Sequence, residues 1–217
     1  MKPISKIWLG ARLSVRDLIA DRSGIAAVEF AMILPLMMVM FFGTLEFSSA
    51  VAVDRKVTLI ARTLSDLTSQ AISVADTDLT NFFTASISIL TPYSPTPTKA
   101  TISEIYVDSN QIAKIQWSKA ATIASGASQA TLATSTRSAG DVVTALVPAA
   151  LLVKQTSLIF SEVSYLYVPM TGYVTATGLM AKAGVNLSDV AYSRPRQAAC
   201  VVYPTPTSGT LTPCPSS

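Results

Sequence analysis

Histidine is absent from the 217 residues, and only two cysteines occur, Cys200 and Cys214. Without histidine the Ser-His-Asp and Cys-His arrangements, the histidine-containing zinc sites and the commonest general base near neutral pH are all excluded. Two cysteines are too few for a closed all-cysteine zinc site. No Walker loop and no GxGxxG is present. Lysine and aspartate chemistry remains open, but no spacing calls for it. Charge is also scarce: 13% of residues, against about 25% in ordinary soluble domains. Half of the residues are hydrophobic, and the mean hydropathy is +0.45. The apolar excess is concentrated in one run rather than spread, which points to a membrane segment joined to a modest folded domain. The expectation is an anchored protein that is not an enzyme and needs no cofactor and no metal.

The net charge of +3 is unevenly placed. Lys2, Lys6, Arg12, Arg16 and Arg22 face only Asp17 and Asp21 within residues 1–24, so that segment alone carries +3. The remainder has 11 basic and 11 acidic side chains and is neutral. The basic surplus is therefore a leader, and no basic stripe interleaved with aromatics follows it. No nucleic-acid partner is expected.

Directly after the leader comes IAAVEFAMILPLMMVMFFGTLEF, residues 25–47, in which Glu29 is the only ionisable side chain before Glu46. As a helix, residues 25–45 would span roughly 31 Å, about the hydrocarbon thickness of a bilayer. A helix also satisfies every backbone group in lipid. The basic flank places the N-terminus in the cytoplasm and the rest outside. Two other readings exist: the core helix of a soluble protein, and a secretory signal peptide. The run is too long for a typical signal peptide, and Glu29 is misplaced for one.

A carboxylate costs about 2.5–3.5 kcal/mol at the centre of a membrane helix and less near its end. Glu29 lies one turn into the run, five residues past Gly24. The string RSG-IAAVEF resembles the cleavage site of type IV prepilins. That resemblance implies that a membrane peptidase cuts between Gly24 and Ile25 and keeps the apolar helix as the mature N-terminus. It also implies that Glu29 pairs with the N-terminal amine of a neighbouring subunit and fixes helix register; such a pair offsets the cost of either charge in a low dielectric. The plainer alternative makes Gly24 a turn residue and lets Glu29 reach back to the headgroups.

Residues 23–65 more specifically resemble the TadE-like segment of tight-adherence (Tad/Flp) pilus systems. The matching features are Arg-x-Gly, AAVEFA, Pro35 within the apolar run, Phe42-Gly43 and Glu46-Phe47. The resemblance implies a pseudopilin-like, minor pilin or assembly component in the bacterial inner membrane, single-pass, with its C-terminal domain in the periplasm or in the pilus. Its implied partners are other pilus subunits, the assembly platform, a prepilin peptidase and the lipid bilayer. An alternative is a permanently anchored surface-binding protein outside any pilus. Pro35 removes the helical partner of the Ala31 carbonyl, so a kink is expected there.

Beyond the membrane, Val53, Val57, Ile60, Leu64 and Leu67 recur at helical spacing, and the helix is expected to continue as a stalk to about Ser69. Asp76-Thr77-Asp78 is placed to cap a second helix carrying Leu79, Phe82, Phe83, Ile87 and Leu90. PYSPTPT, 92–98, ends it. Residues 100–118 read as two strands about a turn at 108–111, with Ile105 and Val107 alternating against Glu104 and Tyr106. Residues 118–140 are rich in Ala, Ser and Thr and read as a surface loop. Residues 142–153 are apolar, but Pro148 argues against one long helix. Residues 157–168 form the clearest strand, and a further one runs through 190–192 into 194–196. The fold class is α+β: a long N-terminal transmembrane helix continuing into a stalk, and a head, 66–217, built on an antiparallel sheet of three to five strands. This is a pilin-like plan with a Pro-rich tail at 204–217.

By the orientation argument Cys200 and Cys214 lie outside the cytoplasm, where disulfides persist. Their separation of 14 makes a bridge closing the tail into a loop the expected state, with two free thiols as the alternative.

Overall fold

The computed structural model describes residues 24–169, 184–204 and Cys214. The expected leader and most of the Pro-rich tail lie outside the described residues. The chain divides into two units, Met1–Phe47 and Ser48–Ser217.

Helix α1 runs Gly24–Ser69, with Pro35 inside it. Its first part is apolar on every side, and Ile25, Met32, Leu36, Val39, Phe41 and Phe47 are all exposed. A helix apolar all round has no protein-facing stripe and needs lipid or other helices as its surroundings. From Val53 onward the pattern becomes amphipathic: Val53, Val57, Ile60, Ala61 and Leu64 are fully buried, while Asp54, Arg55 and Arg62 face outward. Leu67, at the end of the expected stripe, is half-buried.

Helix α2, Asp76–Ile87, starts from Ala75, one residue before the expected cap. Alanine has no side-chain acceptor, so only the reciprocal half of a capping box is present: the Ala75 N–H donates to Asp78 Oδ2 at 2.9 Å. Asp76 and Asp78 in the first turn also suit the positive end of the helix dipole. Leu79, Phe83, Ile87 and Leu90 are buried, and Phe82 packs at the core margin.

Five antiparallel strands follow: β1 Thr98–Val107, β2 Ala113–Thr122, β3 Thr131–Thr134, β4 Thr156–Tyr167 and β5 Val185–Ser193. Their order in the sheet is β3-β2-β1-β4-β5. One face packs on α2 and the buried stripe of α1 through Ala100, Ile102, Trp117, Ile159 and Val163. The other face carries a smaller cluster, Ile105, Val107, Ile115, Leu158 and Phe160, roofed by Val143 and Val147. The head therefore has three layers.

Two readings of the sequence are corrected. Residues 118–140 are not one loop: β2 continues to Thr122, and β3 pairs with it through Lys119↔Thr134 and Thr122↔Thr131. Small Ala and Thr side chains hid this strand, which is held by ladder hydrogen bonds more than by burial. β5 begins at Val185, earlier than expected, and stops at Ser193, before Arg194-Pro195-Arg196. Residues 142–153, where Pro148 argues against one long helix, form two short 3-10 turns, Thr144–Leu146 and Ala149–Leu151.

Hydroxyl groups fix α1 on the sheet. Ser161 Oγ donates to the Ala61 carbonyl at 2.5 Å. Ser65 Oγ donates to Ser193 Oγ at 2.7 Å. Leu64→Ala is expected to cost about 2–5 kcal/mol in chemical unfolding of the head, because its fully buried site can collapse only partially.

Candidate functional site

The first candidate site is the start of α1. Gly24, Ile25 and Glu29 all lie at the start of the helix, and residues four apart share a face, so Glu29 sits one turn along from Ile25. No neighbouring atom would meet a side chain added at Gly24. Gly24–Ser69 is long and apolar enough to cross a membrane. Pro35 is accommodated without ending the helix.

The second candidate was not visible as a site in the sequence. Glu104 is on β1, where alternation with Ile105 made it look solvent-facing. It is instead 2% exposed, because it shares a face of β1 with Ala100 and Ile102, the face that the helices cover; beside it the β1–β2 register shifts between Glu104 and Ile105. Gln116 is the extra residue: Glu104 pairs with Trp117, and Ile105 with Ile115. The bulge turns β2 over, so that Ile115 joins the outer cluster and Trp117 the helix-side core. The signal available in the sequence is the odd spacing of Ile102 and Ile105, which cannot share one face of a regular strand.

Glu104 meets two donors. The Val201 N–H donates to Oε1 at 2.9 Å, and the Trp117 indole N–H donates to Oε2 at 2.8 Å. The same indole N–H also donates to the Val201 carbonyl at 2.8 Å. Burial pushes the Glu104 carboxyl up to about 7; Val201, Trp117 and the Ser157 hydroxyl oppose that shift without overcoming it. The carboxyl thus fastens a segment 97 residues away onto the sheet.

That segment also bonds to the end of α1 and the start of α2. The Arg196 N–H donates to the Ser69 carbonyl at 2.8 Å, and Val202 exchanges bonds with the Ile72 carbonyl and the Val74 N–H. Arg196 pairs with Asp66. Tyr203 donates its hydroxyl to Asp76 Oδ1 at 2.7 Å, packs against Trp117 with centroids 5.5 Å apart, and lies beneath Lys119. The Tyr203 hydrogen bond holds Asp76 below its ordinary value, with Lys119 assisting.

Cys200 and Cys214 are joined by a disulfide, with Cα atoms 5.6 Å apart. Cys200 is 2% exposed. The double variant Cys200→Ser/Cys214→Ser is expected to lose about 3 kcal/mol of stability in the chain-entropy account of a loop this size. Urea unfolding of the oxidised protein and the variant measures it.

A polar groove of about 450 Å³ is lined by Asp76, Ser118, Lys119, Thr134, Ser135 and Arg137. Its charges are already paired, Lys119 with Asp76 at 3.5 Å and Arg137 with Glu162. Among the described residues no three His, Cys, Asp or Glu side chains gather as a metal site would require.

Residues 24–64 match the model of the family described as TadE-like protein. The match covers α1 almost to its end and none of the sheet. No curated protein and no solved structure matches the chain.

Proposed function

We propose that this protein is a minor pilin-like or assembly component of a Tad-type pilus, anchored in the bacterial inner membrane by α1, and that it is not an enzyme. The observation carrying the proposal is the TadE-like segment at 24–64 coinciding with a helix whose first half is apolar and exposed on all sides. Such a helix can exchange lipid contacts for contacts with neighbouring apolar helices at little cost, because lipid tails and aliphatic side chains are equally apolar. This is the physical requirement for moving a subunit from a bilayer into a filament.

Glu29 adds direction to that exchange. Cleavage after Gly24 would create an amine at Ile25, and a carboxylate one turn along offers an ionic partner to the amine of an adjacent helix. Pairing in a dry setting favours only the registers that bring both charges together. The head would meet other pilus proteins or the assembly platform on the periplasmic side.

Intact mass and N-terminal sequencing of the protein from its native membrane test the processing step. An N-terminus at Ile25 supports it; one at Met1 rejects it and leaves a permanent single-pass anchor. Deletion of the gene tests the assignment to assembly. A pilus count reduced tenfold or more is expected, whereas normal piliation with a defect in surface binding would favour a permanently anchored receptor. Glu29→Leu is expected to keep the protein in the membrane while abolishing its co-assembly with pilus subunits, read by cross-linking.

A further inference from the structure

The segment 196–203 is held at both ends and in the middle by unlike contacts. Arg196 is tied to Ser69 and Asp66, Val202 bridges the connector between the two helices, and Tyr203 is bonded to Asp76. Cys200 and Val201 are its buried residues, and Val201 meets the buried carboxyl of Glu104. Cys200, its sulfur bonded to Cys214, is the residue immediately before that contact. We propose that residues 196–203 form a strap that opens as a unit and gates access to the Cys200–Cys214 bond, with Glu104 as its proton-operated latch. The proposal concerns the head alone and does not depend on where the protein acts.

The sign of the proton dependence follows from the two states of the strap. With the strap closed, Glu104 is buried and its carboxyl holds its proton up to about pH 7. With the strap open, the group is hydrated and returns to the ordinary carboxylate range near 4.5. The closed state therefore binds more protons between those values, so acid favours closure and opening becomes easier as pH rises toward 7. Above that range the dependence levels off.

Other titratable groups share this neighbourhood. Tyr106 lies on the same face of β1, Lys119 on that of β2, Asp76 at the start of α2, and Tyr203 in the strap itself. Asp76 is held low by Tyr203 and Lys119, and Lys119 is held high by Tyr203 and Asp76. Both therefore keep their charge across pH 5–8, which leaves Glu104 as the group that changes there. Opening the strap is a local unfolding event, distinct from melting the sheet.

The latch has a chemical consequence. A phosphine reductant attacks one sulfur and breaks the S–S bond; water then supplies the oxygen of the phosphine oxide and the protons of the two thiols. Cys200 is almost fully covered, so its sulfur becomes reachable only when the strap opens.

The test uses the full chain in detergent micelles. Amide exchange of Val201 and Val202, corrected for the intrinsic base-catalysed rate, is measured from pH 5 to pH 8. Protection is expected to fall roughly 70-fold across that range, the value given by a carboxyl moving from about 7 to 4.5 on opening. Reduction by a water-soluble phosphine, expressed relative to Glu104→Gln at each pH, is expected to accelerate in parallel. Asp76→Asn serves as a control and should retain the pH dependence. Protection in the wild type that varies less than threefold overturns the proposal, even if Glu104→Gln does not fold. So does a pH profile that survives in Glu104→Gln, or disulfide reduction that outpaces exchange of the Val201 amide, since reductant would then reach the bond through Cys214 with the strap closed.

Discussion

A chain beginning at Ser48 is expected to leave the membrane fraction completely and to fold as a water-soluble head, while the intact protein resists carbonate extraction and requires detergent. The apolar residues that would hold it in lipid all precede that point. Each Leu, Ile, Phe or Val in a membrane helix contributes about 0.3–0.6 kcal/mol toward insertion, and residues 25–47 present eleven of them. Glu29 offsets only part of this, being one turn from the end. The core loses nothing in the truncation, because the buried stripe begins at Val53. Ser48 and Ser49 also provide side-chain acceptors for the newly exposed helix N–H groups, as good N-caps do. Fractionation, far-UV circular dichroism and a single cooperative thermal transition check the result. An insoluble product, or one without a cooperative melt, would show that the lipid-facing helix is needed to hold the head together.

The end of the apolar run at residue 47 and the packing face of α1 are both readable from the sequence, for a physical reason. Helical periodicity is local: Val53, Val57, Ile60 and Leu64 announce one buried face without reference to anything else in the chain. β4 is legible on the same terms, since β-branched and aromatic residues alternate along it and Val163, Tyr165 and Tyr167 all turn inward. Glu104 is illegible for the complementary reason. Its burial depends on the helices that cover the Ile102 face of β1 and on Val201, which approaches from the far end of the chain. Alternation with Ile105 assigns it to solvent only if one face of the sheet is wet, and here both faces are covered. β3 escapes notice because an edge strand of Thr-Leu-Ala-Thr has little apolar signal to give. Gly24 and Glu29 stand out in the sequence only because a basic leader and an apolar run frame them; the helix that carries them puts Glu29 on the same face as Ile25.

Trp117→Ala is expected to be the most damaging single substitution in the head, costing about 4–5 kcal/mol in urea unfolding. Loss of a buried large aromatic alone costs about 3–5 kcal/mol through transfer and cavity terms. Here Tyr203 also loses the ring it packs on. The indole N–H is moreover shared between the Glu104 carboxyl and the Val201 carbonyl, so its removal takes a partner from two buried acceptors at once. Trp117→Phe separates these contributions. It keeps most of the ring volume and loses the donor, and a smaller cost of about 2 kcal/mol is expected. The two changes should differ in pH behaviour from an ordinary core defect. In the wild type, the contribution of Glu104 is fully present below about pH 4.5 and is lost as pH rises toward 7, because the folded protein holds the proton that the unfolded chain releases. The indole N–H favours the ionised carboxylate, so its loss should raise the Glu104 carboxyl further. Stability of Trp117→Phe is then expected to keep falling beyond pH 7, where that of the wild type has levelled. A double-mutant cycle with Glu104→Gln should show coupling of about 1 kcal/mol or more at pH 8, since the two residues share one hydrogen bond. Parallel pH profiles for wild type and Trp117→Phe, with additive effects in the cycle, would reduce Trp117 to a packing residue and leave the Val201 N–H as the donor that ties the strap to Glu104.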